Sequence, residues 1–270
     1  MNSKARRQQI ERLLSTHGEA TVDQLAAWLS VTASTIRRDL TRLTAQGAIT
    51  RTYGGAIAAL HTHTEPSVRQ RTALARAEKD AIGCWAAGQI QEGETVMLDA
   101  GTTTGRLAHH LRDRESLTVI TNGLTSVLEL AAADGVDVIV LGGSLRHISQ
   151  GLVGPLTDLM LTRLTADRVF LGADSLVAGR GICEASVVQT RTKEQMAERG
   201  RHLYVLVDSS KLGRSPFDAW APLQRPYTLV TDDGATDEQL APFRANADTN
   251  VVIVPAARQP GPELQAVKTT

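Results

Sequence analysis

Residues 33–45 read ASTIRRDLTRLTA, and this stretch decides how the first 60 residues of the chain fold. Ile36, Leu40 and Leu43 recur at i, i+4 and i+7, which predicts one buried stripe along an α-helix. Thr32 precedes the helix as its candidate N-cap. The opposite face presents hydroxyl and guanidinium groups, on Ser34, Thr35, Arg37, Arg38, Thr41 and Arg42. Because arginine can pair bidentately with guanine and hydroxyls can reach phosphate oxygens, this face is suited to contact DNA.

Two shorter helices are predicted ahead of this stretch. The first runs from about Lys4 to Thr16 and ends at Gly18. Thr21 is a candidate N-cap of the second, with Gln24 three residues later as its capping-box partner. The apolar residues expected on the buried sides of these helices are Ile10, Leu13, Leu14, Val22, Leu25, Ala26 and Leu29.

A short hairpin is predicted after the third helix, from Ala48–Arg51 and Gly55–Ile57. Its turn falls at Tyr53 and Gly54, and Gly47 separates it from the helix. Such a hairpin is the wing of a winged helix-turn-helix, so Arg51 and Tyr53 join the candidate DNA contacts. An arginine-bearing face alone is more often that of a helix that faces only solvent. Three helices and a hairpin in immediate succession favour DNA binding instead.

This N-terminal stretch resembles the DNA-binding module of the DeoR family of bacterial regulators. The resemblance is carried by Thr35-Ile36-Arg37-Arg38-Asp39-Leu40, Gly47, Arg51 and Gly54-Gly55-Ala56. The chain departs from the family pattern at Thr32, Thr44 and Tyr53, where serine, glutamate and histidine are common. These departures bear on operator preference rather than on the fold. Asp39 is interpreted as an internal partner of an arginine, because a carboxylate facing phosphates would weaken DNA binding.

The formal net charge of zero hides an uneven distribution of charge along the chain. Residues 1–60 carry eight basic and four acidic side chains, whereas the remaining 210 residues carry four more acidic than basic ones. A basic module attached to a neutral-to-acidic one is typical of a DNA-binding regulator. One winged helix contacts only a short site, so we expect a homo-oligomer, a dimer or tetramer, on double-stranded operator DNA.

Composition argues against several other protein classes. No apolar run approaches the ~18 residues of a membrane span, and the basic N-terminus lacks the apolar segment of a secretory signal. The two cysteines, Cys84 and Cys183, predict neither a disulfide framework nor a zinc site, and a cytoplasmic location fits. His61 and His63 have no third ligand nearby, so a solvated linker is the favoured interpretation, and no metal or cofactor is expected.

The rest of the chain predicts a larger, Rossmann-like α/β domain. Strands are expected at 95–98, 117–121, 136–141, 168–171, 203–207, 227–231 and 250–254. Helices are expected between most of them, at 104–111, 125–133, 156–164, 187–199 and 237–243. This alternation predicts a largely parallel sheet with helices on both faces and ligands at the carboxyl ends of its strands. The predicted divisions are a winged helix-turn-helix at 1–58, a linker at 59–76, the α/β domain at 77–257 and a flexible tail at 258–270.

Small and polar residues follow five successive predicted strands. The first run, from Asp99 to Gly105, leads directly into a helix, where free N–H groups and three threonine hydroxyls form a cradle for an anion such as phosphate. No Gly-Lys-Ser/Thr follows, so this is not a nucleotide P-loop. The later runs are 121–123, 141–146, 172–174 and 207–211. Each run alone is more typical of a turn or a cap, but together they favour a site for a phosphorylated, hydroxyl-rich molecule.

This half also resembles the C-terminal effector domain of the DeoR family, which is similar in fold to ribose-5-phosphate isomerases. The matching residues are Lys79, Asp99–Thr103, Thr121-Asn122, Gly142-Gly143, Val153-Gly154-Pro155, Gly172-Ala173, Glu184-Ala185 and Asp208–Lys211, with Leu212 in place of the usual phenylalanine. The resemblance implies a sugar-phosphate sensor that controls repression of a carbohydrate catabolic operon. The expected effector contacts are Asp99, Gly101, Thr102, Thr103, Thr104, Asn122, Gly142, Gly143, Arg146, Asp174, Glu184, Lys193 and Lys211.

Two alternative functions remain open from the sequence. A sugar-phosphate isomerase with an appended DNA-binding module would need a positioned base and an electrophile together. The isomerases have an Asp-Gly-Ala-Asp run and a lysine before a later glycine-rich turn. Here the first carboxylate is replaced by Leu171, and the turn at Val177–Gly181 lacks the lysine, so we expect a sensor without catalysis. An architectural DNA-binding protein without a ligand is the other alternative, and the anion cradle argues against it.

Overall fold

The computed structural model describes residues 3–17, 19–45, 49–52, 55–58 and 65–256. None of the helices in these ranges combines the length and apolar character that a membrane span needs. Several predicted features lie outside the described residues, namely Gly18, Gly47, Ala48, Tyr53, Gly54, the residues 59–64 with His61 and His63, and the tail at 258–270.

The described residues up to 58 form a winged helix-turn-helix. Its elements are α1 (Ser3–His17), β1 (Glu19–Thr21), α2 (Val22–Leu29), α3 (Ala33–Ala45), β2 (Ile49–Thr52) and β3 (Gly55–Ala58). The strands form an antiparallel sheet in the order β1-β3-β2, in which β2 and β3 are the predicted wing. The strand β1 has three residues, which is too short for a sequence pattern to reveal it.

Local sequence explains the helices of this module. Thr21 Oγ1 accepts a hydrogen bond from Gln24 N at 3.2 Å, and Gln24 Oε1 accepts one from Thr21 N at 2.9 Å, so the predicted capping box is confirmed. The predicted stripe of Ile36, Leu40 and Leu43 is fully buried. It packs against Ile10, Leu14, Val22 and Leu25, with Leu13, Ala26 and Leu29 only partly buried at the margin of this core.

The second domain contains seven helices and twelve strands among its described residues. Its helices are α4 (Val68–Ala73), α5 (Arg76–Ala87), α6 (Thr102–His110), α7 (Leu124–Leu130), α8 (Pro155–Leu161), α9 (Val187–Ala197) and α10 (Asp237–Arg244). Its strands are β4 (Thr95–Leu98), β5 (Leu117–Thr121), β6 (Val136–Val140), β7 (Ser144–Arg146), β8 (Gly151–Val153), β9 (Ala166–Leu171), β10 (Ser175–Val177), β11 (Gly181–Glu184), β12 (Gly200–Leu206), β13 (Ala219–Ala221), β14 (Tyr227–Asp232) and β15 (Thr249–Val254).

Seven of these strands form one parallel sheet in the order β15-β14-β12-β9-β4-β5-β6. Residues alternate between its two faces: Val96 and Leu98 pack under α5, α6 and α7, whereas Met97 packs under α8, α9 and α10. The predicted α/β class with helices on both faces is therefore confirmed. The strand order reverses between β4 and β9, and the crevice at such a switch point is where ligands of open α/β sheets bind.

Two small antiparallel sheets extend beyond the carboxyl end of the parallel sheet and are not predicted by the sequence. One is the hairpin β7-β8, and the other has the order β10-β11-β13. Their strands are three or four residues long. At that length, pairing with neighbours determines the strand rather than local periodicity.

The domain limits stay predictions, and the structure adds one observation to them. The segment from Glu65 onward, predicted as part of a linker, contains α4 and lies against the second domain. The helix α4 begins with a capping box between Ser67 and Gln70. Val68 N then donates to Ile148 O at 2.9 Å. This segment is therefore attached to the α/β domain rather than free of it.

Candidate functional site

The loop between β4 and α6 forms one wall of a small cavity at the switch point. Gly101 is the N-cap of α6 and provides no side-chain cap, so the amide groups of the first helical turn are left for another acceptor. Helix N-termini with free amides favour anions. The side chains of Thr102 and Thr103 line the cavity beside these amides. The predicted loop therefore has the form of an anion cradle, and its binding of an anion stays a prediction.

Three buried ionisable groups lie under the cavity. Lys193 Nζ contacts Asp99 Oδ2, lies 3.2 Å from Glu184 Oε1 and donates to Gly172 O at 2.9 Å. These contacts use the three donors of its ammonium group. Burial would lower the pKa of Lys193, but the charges of Asp99 and Glu184 more than offset it and raise that pKa. Lys193 therefore holds the two carboxyl groups together as a cation.

Glu184 carries the most strongly perturbed carboxyl of this cluster. Its burial raises the pKa to about 8, because Lys193 only partly offsets the cost of desolvation and the neighbouring Asp174 and Asp99 add repulsion. This carboxyl therefore holds a proton to higher pH than an exposed glutamate does. A protonated carboxyl can donate a hydrogen bond as well as accept one. Glu184 lines the cavity, so both properties are available to a ligand there.

The lining of the cavity also includes an acid and two cations, Asp174, Arg71 and Lys211. Asp174 Oδ1 accepts from Arg71 Nη1 at 2.9 Å, while Asp174 Oδ2 has no partner among the described residues. Lys211 Nζ donates to Ala173 O at 2.7 Å and lies 3.9 Å from Asp208 Oδ2. Phosphate oxygens can be bound by the cations, and sugar hydroxyls can donate to the free carboxylate oxygen.

The structure brings many of the predicted effector contacts together. Those that line the cavity are Gly101, Thr102, Thr103, Asp174, Glu184, Lys193 and Lys211. Asp99 lies just beneath, where Oδ2 accepts from Gly172 N at 3.3 Å as well as from Lys193. Asp99 does not line the cavity, and its contacts hold the loop and the lysine in place.

Besides Asp99, five other predicted effector contacts do not line the cavity: Thr104, Asn122, Gly142, Gly143 and Arg146. Thr104 Oγ1 instead donates to Asp99 O at 2.6 Å, inside its own loop. The Asn122 side chain accepts from Ala100 N at 2.9 Å and donates to Leu152 O at 3.1 Å. The hydrogen-bonding groups of both side chains are therefore used within the protein, where they support the loop between β4 and α6.

The other three lie further from the cradle. Thr157 Oγ1 donates to Gly142 O at 2.5 Å. Gly143 has φ of +143°, and a side chain there would meet the same hydroxyl. The two glycines thus let the loop after β6 pass close to α8. Arg146 forms a bidentate pair with the buried Glu65, which commits its guanidinium to the segment before α4.

Sequence reasoning missed Arg71 as a cavity residue. It lies on α4, inside the range predicted as a linker, and its guanidinium reaches Asp174 across 103 positions of sequence. The segment around it has no apolar stripe that would have predicted a packed helix. Only the three-dimensional structure reveals this contribution.

The candidate DNA-binding face also has the predicted form. Ser34, Arg37, Arg38, Thr41 and Arg42 are exposed on α3, and Thr35 is half-buried. Thr35 N donates to Thr32 Oγ1 at 3.3 Å, as expected of the cap. Arg51 lies in β2, but its side chain and the whole of Tyr53 are outside the described residues.

Asp39 lies on the inner side of α3. Its carboxylate accepts from Arg6 Nε at 2.5 Å and lies 3.6 Å from Arg7 Nη1. It is 4% exposed. The interpretation of Asp39 as an internal arginine partner is therefore confirmed. Its carboxylate faces Arg6 and Arg7 rather than the exposed arginines of α3.

Two family models match the chain. A DeoR-like helix-turn-helix domain matches residues 6–62, and a DeoR C terminal sensor domain matches residues 74–233. The chain belongs to the DeoR family. It is therefore a DNA-binding transcriptional regulator with a C-terminal sensor domain, and the resemblance drawn from both halves of the sequence is confirmed.

Curated relatives extend over most of the chain. The putative aga operon transcriptional repressor of Escherichia coli O157:H7 is 34% identical over 92% of this chain and 93% of its own length. The transcriptional repressor AccR of Agrobacterium fabrum is 33% identical over 86% and 91%. The glycerol-3-phosphate regulon repressor of Escherichia coli is 32% identical over 86% and 92%. These relatives are named as regulators rather than as enzymes.

A more distant likeness is found among solved structures. The ribose 5-phosphate isomerase of Methanocaldococcus jannaschii aligns with 49% of this chain and 52% of its own, at 15% identity and a TM-score of 0.37. The fold class assigned to the second domain rests on its own strand order and helix layers.

Proposed function

We propose that this chain represses transcription of a carbohydrate catabolic operon and that a phosphorylated sugar in the cavity controls its affinity for the operator. The relatives support repression, since they are named as repressors of the aga operon and of the glycerol-3-phosphate regulon. Exposed arginines and hydroxyls on α3 support contact with bases and phosphates in the major groove.

The composition of the cavity is the main support for a phosphorylated sugar as the effector. The α6 N-terminus with Thr102 and Thr103 lines the same cavity as Asp174, whose Oδ2 has no hydrogen-bond partner among the described residues. Amides and hydroxyls suit a phosphate group, and a free carboxylate oxygen suits a sugar hydroxyl. A ligand that carries both groups matches this arrangement better than an uncharged sugar or a bare anion.

The isomerase alternative has less support. Leu171, at the position of the first isomerase carboxylate, is fully buried at the end of β9. Lys193 already uses its three donors within the protein. Proton transfer between carbons needs a base and an electrophile that are free to reach the substrate. We therefore propose that the domain senses its ligand without converting it.

A thermal-shift screen of phosphorylated sugars tests this proposal. A ligand at about 100 times its Kd stabilises the folded state by about 2.7 kcal/mol, which is several degrees of melting temperature for a domain of this size. We expect at least one sugar phosphate to stabilise the chain while its unphosphorylated parent does not. Stabilisation by none of a broad panel would favour the architectural alternative, and conversion of ribose 5-phosphate would favour the enzyme.

A further inference from the structure

The segment that joins the two domains contributes a side chain to the effector cavity. Arg71 is near the middle of α4, and its guanidinium lines the cavity beside Asp174. Lys79 Nζ holds the carboxyl end of α4 in place, by donating to Arg71 O at 2.5 Å and to Leu74 O at 2.7 Å. The position of Arg71 is therefore fixed by the sensor domain.

The pairing of Arg71 with Asp174 is incomplete. A guanidinium and a carboxylate can form two parallel hydrogen bonds, but here only Nη1 and Oδ1 are in contact, at 2.9 Å. Arg71 Nε and Asp174 Oδ2 are both buried and have no hydrogen-bond partner among the described residues. A buried donor and a buried acceptor that remain unsatisfied are unfavourable, and a ligand that satisfies both gains the difference.

Two further contacts restrain the orientation of the Arg71 guanidinium. Its Nη2 donates to Ile148 O at 3.4 Å and lies 3.7 Å from Glu65 Oε1. Glu65 is in turn committed to Arg146. The guanidinium is thus oriented by the protein, and its Nε is the donor left over.

We propose that Arg71 is a phosphate-binding residue of the cavity. Its Nε donates to a phosphate oxygen held at the N-terminus of α6, while Asp174 Oδ2 accepts from a hydroxyl of the same ligand. This inference rests on the proposed function and names one of its contacts.

The location of Arg71 gives this contact a regulatory consequence. Arg69, two residues earlier on α4, lies 3.3 Å from Glu19 in β1 of the winged helix-turn-helix. That pair is exposed and contributes little to stability, so it does not lock the domains together. A phosphate that engages Arg71 therefore contacts the same helix whose Arg69 lies beside the DNA-binding module.

The test compares Arg71→Gln with Arg69→Gln in the full chain, using calorimetric titration with inorganic phosphate. Both variants remove one positive charge from α4, but only Arg71 lines the cavity. We expect Arg71→Gln to weaken phosphate binding about tenfold or more, as for a lost hydrogen bond to a charged group. Arg69→Gln is expected to bind phosphate within about twofold of the wild type, because long-range charge effects are screened.

Two additions keep the test decisive. Arg71→Lys retains the charge and lacks Nε, so it covers the case in which Arg71→Gln does not fold, and we expect weaker phosphate binding than in the wild type. Asp174→Asn should weaken binding of D-ribose 5-phosphate more than that of inorganic phosphate, because only the sugar has hydroxyls. Amide hydrogen exchange of residues 68–73 should change when phosphate binds to the wild-type chain.

The outcomes separate this inference from the function on which it rests. If the wild-type chain binds neither inorganic phosphate nor D-ribose 5-phosphate, the proposed phosphate site fails and the role of Arg71 fails with it. If the wild type binds and the folded Arg71 variants bind equally well, the role of Arg71 alone is overturned.

Discussion

Three ionisable side chains form one buried cluster, those of Lys193, Asp99 and Glu184. Each of them is 2–3% exposed. A single ammonium faces two carboxyl groups, so the lysine only partly offsets the cost of burying Glu184. Burial acts most strongly on Glu184 and raises its pKa to about 8. The cluster therefore couples the protonation of the cavity wall to the stability of the fold.

The pH dependence of stability tests this cluster. Glu184 has a folded-state pKa of about 8 against an ordinary value of 4.5, so between these values the folded state binds more protons than the unfolded state. Stability from this group is therefore complete below the ordinary pKa and is lost as pH rises towards 8. The unfolding free energy of the wild type minus that of Glu184→Gln should fall by up to roughly 1.4 kcal/mol per pH unit. Denaturant titrations from pH 5 to 8 measure it, and a constant difference would contradict it.

Thr103 and Thr104 are neighbours with different roles. Thr103 lines the cavity, whereas the Thr104 hydroxyl donates to Asp99 O inside the loop. Thr103→Val should weaken binding of the sugar phosphate found by screening about tenfold, since it removes a hydrogen bond to a charged group. Thr104→Val should instead lower the unfolding free energy by about 1–3 kcal/mol, because a buried carbonyl loses a partner. Ligand titration and denaturant unfolding of both variants measure these effects, and equal effects on ligand affinity would refute the assignment.

The sequence could not separate these two threonines. Three consecutive threonines at the start of α6 are chemically alike, and all three are buried. Which hydroxyl reaches the cavity depends on the direction in which the helix leaves the sheet. Asn122 and Arg146 illustrate the same limit, because their side chains are consumed by partners that are distant in sequence.

The helix α3 is expected to recognise the base sequence of the operator. Arg37 and Arg38 are exposed, while Asp39 is turned inward to Arg6. Arg37→Ala or Arg38→Ala should weaken operator binding by roughly 1–3 kcal/mol and relax specificity if the arginine reads a base. A phosphate contact would instead lower affinity evenly across DNA sequences and reduce the salt dependence.

Fluorescence anisotropy with operator and unrelated DNA distinguishes these cases. Arg201→Ala is a matched control, because Arg201 is an exposed arginine in β12 of the sensor domain. Its removal should leave operator affinity within about twofold, since charges beyond a Debye length are largely screened. If neither α3 variant weakens binding more than this control, α3 is not the recognition helix.

Most helices and all seven strands of the parallel sheet could be predicted because their apolar periodicity is strong. The helix α4 could not, since it has six residues, two of them arginines, and no buried side chain of its own. Its conformation comes from a capping box and from hydrogen bonds to the sensor domain. Elements held by distant partners, as β7 and β10 also are, leave little trace in local sequence.

One winged helix contacts a DNA site that is too short to give the affinity expected of a regulator for its operator. We therefore expect two copies of the chain on adjacent half-sites, about one helical turn or a multiple of it apart. Footprinting gives the half-site spacing, and sedimentation of the protein with operator DNA gives the stoichiometry. A single protected half-site with one bound copy would contradict this expectation.

We propose that a ligand in the cavity changes the affinity of α3 for DNA. The most direct test of this proposal is the Kd for an operator fragment, measured by fluorescence anisotropy with and without the sugar phosphate that stabilises the chain. Coupling energies of about 1–3 kcal/mol predict a change of roughly 5–150-fold in the wild type. The change should be smaller in Thr103→Val at the same ligand concentration. An operator Kd that stays the same while the sugar phosphate is demonstrably bound would contradict the account.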